Sequence, residues 1–305
     1  MQAGADAMIE LSAEVACRVG ATLGEGPVWI PQEQALWFVD IKQSKLHRFT
    51  PDSGALDSWN APAQPGWILP DASGGLICGL QSGLSRFDRH SETFTHLGDV
   101  EPEFPGNRLN DATVDSHGRI WFGSMDDGES QSTGSFFRAD ARGIARVISG
   151  IAITNGPAAN CSGDLLYHTD TLAGTISVSR IAHDGALYDT RLFVQIDPAD
   201  GYPDGPIVDG EDCVWTGLWG GWSARRYSPS GELLTVVRYP AANITKLAFG
   251  GSDGRTVYAT SASKGLSERE LADQPNAGDL FSFSADVAGQ EYCPIGEIMV
   301  QRVAD

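Results

Sequence analysis

A short apolar or aromatic run recurs six times along this chain of 305 residues: Leu36-Trp37-Phe38-Val39, Leu76-Ile77-Cys78, Ile120-Trp121-Phe122, Leu165-Leu166-Tyr167, Val214-Trp215-Thr216 and Val257-Tyr258-Ala259. Successive runs start 40, 44, 45, 49 and 43 residues apart. A repeat of this length is one supersecondary unit that buries its apolar face only against its neighbours. A second stretch of strand character follows each run, at residues 46–49, 84–87, 136–138, 176–178, 224–227 and 280–283. Turn residues such as Pro51-Asp52-Ser53-Gly54 and Ser228-Pro229-Ser230-Gly231 close most units. Short β-branched and aromatic strands separated by turns indicate antiparallel sheet. Six such units, each long enough for four strands, predict an all-β fold: a six-bladed β-propeller whose four-stranded antiparallel blades surround a central channel. Two β-sandwiches fit the length but leave the single recurring motif unexplained, and the absence of a G-H…W-D signature excludes a WD40 propeller.

A ring must close, because open sheet edges invite pairing with other chains. The sixth unit leaves little room for an outer strand, so Glu14-Val15-Ala16-Cys17-Arg18-Val19 is predicted to supply it from the other end of the chain. Residues 1–12 read as a mobile N-terminal tail and residues 13–305 as a single propeller domain. Helix is expected only locally, over residues 266–272, opened by Ser267 and followed by Pro275.

Charge excludes whole classes of partner. With 21 basic and 40 acidic side chains the formal charge is -19. Nucleic-acid binding rests on Lys and Arg displacing counterions, so nucleic acid is not an expected partner, and anionic membrane surfaces are disfavoured on the same ground. No run approaches the roughly 20 apolar residues a spanning helix needs. The first residues lack a basic segment followed by an apolar one, which predicts a cytoplasmic protein without a secretory signal. Five widely spaced cysteines with no C-x-x-C pair read as reduced thiols. The sequence fixes no oligomeric state; a monomer is compatible with it.

Ten or eleven residues before each apolar run, on what a propeller makes the innermost strand, stand Glu25, Gly66, Asn110, Asn155, Asp204 and Lys246. Several open similar phrases: Glu25-Gly26-Pro27, Asn155-Gly156-Pro157, Asp204-Gly205-Pro206 and, more distantly, Asn110-Asp111-Ala112. Any one copy is also a plain turn. In a ring, however, equivalent positions converge on the axis, and two carboxylates with an amide there form an oxygen-donor set suited to a hard divalent cation. Without a cation, crowded carboxylates repel and rise in pKa.

These residues resemble those of the regucalcin, gluconolactonase and luciferin-regenerating enzyme family. Leu23-Gly24-Glu25-Gly26-Pro27, Thr154-Asn155-Gly156-Pro157 and Tyr202-Pro203-Asp204-Gly205 look like its three metal-ligand motifs, and Arg108-Leu109-Asn110-Asp111 like its substrate-binding R-x-N-D segment. The resemblance spans roughly residues 14 to 290. Tyr167-His168-Thr169-Asp170, Leu218-Trp219-Gly220-Gly221 and Lys264-Gly265-Leu266-Ser267 look closest to the bacterial pentonolactonase branch, such as xylonolactonase. The resemblance implies a metal-dependent hydrolase of a sugar-acid lactone, xylonolactone or arabinonolactone ahead of gluconolactone. It implies one divalent cation (calcium, magnesium, manganese, zinc or iron(II)) held by Glu25, Asn155 and Asp204. On the same resemblance the cation would act as a Lewis acid on the carbonyl, Asp204 would steer or deprotonate water, and Arg108 and Asn110 would hold sugar hydroxyls. The acidic substrate residue expected shortly after Met125 is Asp126, Asp127 or Glu129, with Glu129 preferred. Where the family has R-x-N-D-G, this chain has Ala112.

Other residues weigh less. His168 beside Asp170 suggests an acid-base pair but reads better as a hydrogen-bonded residue in or beside the channel. Trp219 and Trp222 could wall a sugar ring or pack between blades, and Lys246 could pair with Asp204 or bind substrate. No G-x-S-x-G elbow supports a serine nucleophile. The rival readings are a phosphotriesterase- or arylesterase-type propeller hydrolase and a calcium-binding propeller without catalysis.

Overall fold

In a computed structural model of the chain, which describes residues 8–290 and 293–298, six sheets stand around a central axis as the blades of a β-propeller. Blade 1 runs from axis to rim through Gly24–Ile30, Ala35–Asp40, Lys45–Thr50 and Ala55–Asn60, each antiparallel to the last. The innermost strands of blades 2 to 6 are Pro65–Pro70, Asn107–Val114, Thr154–Ala159, Tyr202–Val208 and Ile244–Gly250. The six apolar runs are the second strands. They read as continuous rather than alternating because neighbouring blades cover both of their faces. Trp37, Trp67, Trp121 and Trp215 are fully buried, and the packing crosses blade boundaries: Trp215 meets Phe249 and Phe283 of blade 6 with ring centroids 6.0 and 5.8 Å apart. Truncating one such ring to Ala costs roughly 3–5 kcal/mol.

Both chain ends serve the ring. Glu14–Cys17 lies antiparallel to Leu280–Ser284 and completes blade 6, as the sequence predicts. Ile9–Ser12, assigned from the sequence to a mobile tail, is instead a fifth strand of blade 5, parallel to Leu233–Arg238 with Ile9 opposite Thr235. The outer edge of blade 5 offers unpaired backbone groups to whatever strand lies beside it, and this four-residue stretch has too little apolar pattern to announce itself. Residues 1–7 of the expected tail, and residues 299–305, lie outside the described residues. At the lower end of the channel the chain after blade 6 bridges several blades: Gly289 N bonds Gly254 O, Ile295 N bonds Pro70 O and Gly296 N bonds Gly118 O, each at 2.9 Å. The local helix spans Glu268–Asp273, with Ser267 and Glu270 forming a reciprocal capping box. Among the described residues no helix is long and apolar enough to cross a membrane.

Near its upper end every innermost strand carries a bulge, between Glu25 and Val28, Pro65 and Trp67, Leu109 and Ala112, Asn155 and Ala158, Asp204 and Ile207, and Ile244 and Leu247. A bulge re-aims the side chains beside it. Gly66 occupies the one in blade 2 because a Cβ there would stand 2.4 Å from Leu109 O.

Candidate functional site

The bulge register sorts the axial residues into layers. Glu25, Asn155 and Asp204 are each the last paired residue before a bulge, whereas Asn110 lies inside one and Asp111 and Lys246 occupy its second position, equivalent to Pro27, Pro157 and Pro206. Counting residues back from the apolar run therefore misplaces Lys246 at the level of Glu25 and Asp204. Its ammonium pairs with Asp111, not with Asp204. The register also explains Ala112. Gly26 and Gly156 have φ of 54° and 71°, whereas Ala112 is not among the residues with positive φ. At that point the backbone makes no demand for glycine.

At the upper end of the channel lies a cavity of about 260 Å³ whose lining includes Glu25, Asn155, Asp204, Arg108, Asn110 and Glu129, so all six residues singled out from the sequence converge there. Asn110 is the hub of a side-chain network. It accepts from Arg108 Nη1 at 2.6 Å and donates to Asn155 Oδ1 at 2.9 Å. Asn155 Nδ2 in turn donates to Thr171 Oγ1 at 2.8 Å, and Thr171 Oγ1 to Pro203 O at 3.0 Å. The network fixes the amide so that its oxygen lies toward Asn110 and its nitrogen toward blade 5. Arg108, buried on blade 3, is held through Nε by Asp127 at 2.9 Å, and Asp127 is itself anchored by Lys42 at 2.5 Å and Gln64 at 3.1 Å. Glu129 pairs with Lys264 across the cavity mouth.

This settles where the three acidic candidates of that loop stand. Asp126 closes the loop itself, accepting from Ser130 N and Oγ, both at 2.9 Å, and from Gln131 N at 3.1 Å. Asp127 orients Arg108, and Glu129 alone of the three lines the cavity. Trp219 lines it too, with Tyr202, Leu172, Ile153, Met125 and Leu23, while Trp222 is exposed. His168 does not line it. Burial pushes its pKa down to about 4, and the ring bonds Ser179 Oγ at 3.0 Å, so it stands as a neutral structural group.

Glu25 and Asp204 differ from every other charge in the cavity. Arg108 has Asp127 and Lys264 has Glu129, but neither axial carboxylate has an ion-pair partner among the described residues. Each receives one hydrogen bond, from the next residue's amide: Gly26 N to Glu25 Oε2 at 3.0 Å and Gly205 N to Asp204 Oδ1 at 2.9 Å. Both are buried. Burial and then the charge of Asp111 push Glu25 up to about 8, and burial and then Glu25 hold Asp204 well above the carboxylate range. Among the described residues no group of three His, Cys, Asp or Glu side chains forms a metal cluster, so a cation here depends on the amide oxygen of Asn155 as third donor. The donor set fits one: two carboxylates and an amide oxygen, all oxygen, with charges that match a divalent ion.

Asp111 is the residue that sequence reading passed over. It sits in the quoted R-x-N-D segment, but its partners, Gly156 N at 2.9 Å and Lys246, come from blades 4 and 6, and no local pattern links them.

Residues 23–263 match the SMP-30/gluconolactonase/LRE-like region. The chain is 36% identical over 273 residues to the L-arabinolactonase of Azospirillum brasilense, covering 88% of this chain and 90% of that one. It is 32% identical over 274 residues to the 6-deoxy-6-sulfogluconolactonase of Pseudomonas putida, covering 89% and 94%. The solved structure of the calcium-binding protein regucalcin from Agrobacterium tumefaciens str. C58 superposes with a TM-score of 0.88 over 92% of this chain and 96% of that one, at 23% identity, a likeness of fold. With a family match across most of the propeller and relatives aligned along nearly their whole length, the chain belongs to the SMP-30/gluconolactonase/LRE-like family.

Proposed function

We propose that this protein hydrolyses a sugar-acid lactone to the aldonic acid with one divalent cation held by Glu25, Asn155 and Asp204. The observation that carries the reading is that, of the charged groups lining the cavity, these two carboxylates have no ion-pair partner among the described residues. A divalent cation bound there supplies Lewis-acid polarisation of the lactone carbonyl. Asp204, whose Oδ2 receives no hydrogen bond from the described residues, accepts a proton from the attacking water and returns it to the ring oxygen as the C–O bond breaks. Arg108, locked to Asn110 at 2.6 Å, presents the N–H groups of Nη2 to the sugar hydroxyls; Asn110, whose two N–H groups go to Thr154 O and Asn155 Oδ1, offers its amide oxygen as an acceptor, and Glu129 accepts from a hydroxyl at the mouth. Trp219, Tyr202 and Leu172 cover the apolar face of the ring.

An oxygen-only donor set favours a hard ion, calcium, magnesium or manganese, ahead of zinc or iron(II). The relative named L-arabinolactonase supports a pentonolactone, arabinonolactone or xylonolactone, ahead of gluconolactone. Arg108 and Lys264 each already hold a carboxylate, which favours a neutral lactone over an anionic one of the kind named for the Pseudomonas putida relative. A propeller that only buffers cations has no need of the Arg108–Asn110–Glu129 arrangement beside the carboxylates. The test is a panel of arabinono-, xylono- and gluconolactones with an aryl ester and a phosphotriester, assayed at known metal content. Turnover of sugar lactones above the other two classes is expected; preference for the aryl ester or phosphotriester overturns the reading.

A further inference from the structure

Directly beneath the cavity the Lys246–Asp111 pair spans the axis. Both residues are buried. The lysine stem runs alongside the Asp204-Gly205 backbone so closely that a Cβ on Gly205 would lie 2.7 Å from both Cβ and Cγ of Lys246. Its ammonium donates to Asp111 Oδ1 and, at 3.0 Å, to Ala112 O. Among the described residues it has no third acceptor. Asp111 is held in place by two further bonds, from Ala112 N at 2.7 Å and from Gly156 N at 2.9 Å. A flexible four-carbon stem rooted beside Asp204 therefore carries a cation that the opposite blade pulls away from the two unpaired carboxylates above.

We propose that Asp111 is a positioning residue that tethers the Lys246 ammonium below the cation site, and so keeps Glu25 and Asp204 open to a divalent ion in place of an internal one. The inference rests on the cation site proposed above. It follows from two features that are otherwise unexplained: a buried lysine at the axis of an anion-lined channel, and a carboxylate recruited from the far side of the ring to hold it. Released from Asp111, the ammonium has two buried carboxylates within the sweep of its stem and competes with the metal for them.

The test is isothermal titration of metal-stripped protein with the tightest-binding of calcium, magnesium, manganese and zinc, identified first on the wild-type chain. Asp111→Asn, close to isosteric, is expected to weaken binding about tenfold or more, and Asp111→Asn with Lys246→Met to recover to within about threefold of wild type, because the competing ammonium is gone. A merely structural role for Asp111, exerted through Gly156, predicts no recovery. Failure of the double variant to recover, with wild type binding the ion, overturns the tether alone. Wild-type protein that binds none of the four ions overturns both the tether and the site it rests on. Should Asp111→Asn not fold, Lys246→Met decides by itself. Affinity equal to or tighter than wild type is expected, and affinity weakened by more than about threefold overturns the proposal.

Discussion

Asp204 and Asp209 stand on the same blade and are both buried, yet their surroundings are opposite. Asp209, at the lower hairpin, receives four hydrogen bonds: from Glu211 N at 2.9 Å, Cys213 N at 3.1 Å, Trp215 Nε1 at 2.8 Å and Arg226 Nε at 2.8 Å. Asp204, at the upper end, receives one. Blade 3 repeats the lower arrangement, with Asp115 accepting from His117 N, Arg119 N, Arg119 Nε and Trp121 Nε1. A carboxylate saturated by local donors and an arginine anchors a hairpin and its tryptophan. One left short of donors in a buried cavity is destabilising unless something else neutralises it. On blade 5 the division by partner count runs from the lower hairpin to the upper bulge.

The largest effect should come from breaking the upper member. Asp204→Ala is expected to lower kcat for the lactone about a thousandfold or more while the protein stays folded, because on the proposed mechanism it removes both a cation ligand and the proton acceptor. Single-turnover and steady-state rates on protein of verified fold check this. Asp209→Ala should do the reverse. Leaving Arg226 and Trp215 Nε1 buried without their acceptor costs roughly 3–5 kcal/mol of stability, read by chemical denaturation, with kcat of the folded protein changed by less than about twofold.

Titration sharpens the contrast. Glu25 has its folded pKa raised from 4.5 to about 8, so the contribution of this group to metal-free stability is fully present below its unfolded value and is lost as pH rises toward 8. His47 and His168, pushed down by burial to about 4 from 6.5, act in the opposite sense below 6.5. The clean window is therefore pH 6.5 to 8. There the melting temperature of metal-free protein should fall with pH, and saturating cation should flatten the slope. A flat profile without metal would show that the upper carboxylates are neutralised by something else. The smallest effect is expected from Asp127→Ala, which removes the carboxylate that aims Arg108 without touching the axial pair. KM should rise about tenfold with kcat little changed, separating substrate holding from the chemistry.

How much of this could be read from the sequence follows from how local each signal is. The blades were legible because their second strands repeat an apolar run at near-constant spacing, and Glu25, Asn155 and Asp204 because each opens a Gly-Pro phrase just before a bulge. Closure by Glu14–Cys17 followed from the missing strand of blade 6. What escaped depended on partners distant in the chain. Lys246 looked level with Glu25 until the bulge register set it two residues further along its strand, opposite an aspartate 135 positions away. Asp115 gives no local signal in the sequence, because the donors that make it an anchor include side chains whose direction only the folded hairpin fixes. Ile9–Ser12 and the segment crossing the lower channel pair through backbone groups, which no side-chain pattern records.

The most direct measurement follows bound cation and lactone hydrolysis together as metal-stripped protein is titrated with a single ion type. The expected result is a rate that rises in step with occupancy and levels off at one ion per chain, with Asp204→Ala binding weakly and staying inactive throughout. Full hydrolysis by protein verified to be metal-free, or a rate indifferent to occupancy, would contradict the account.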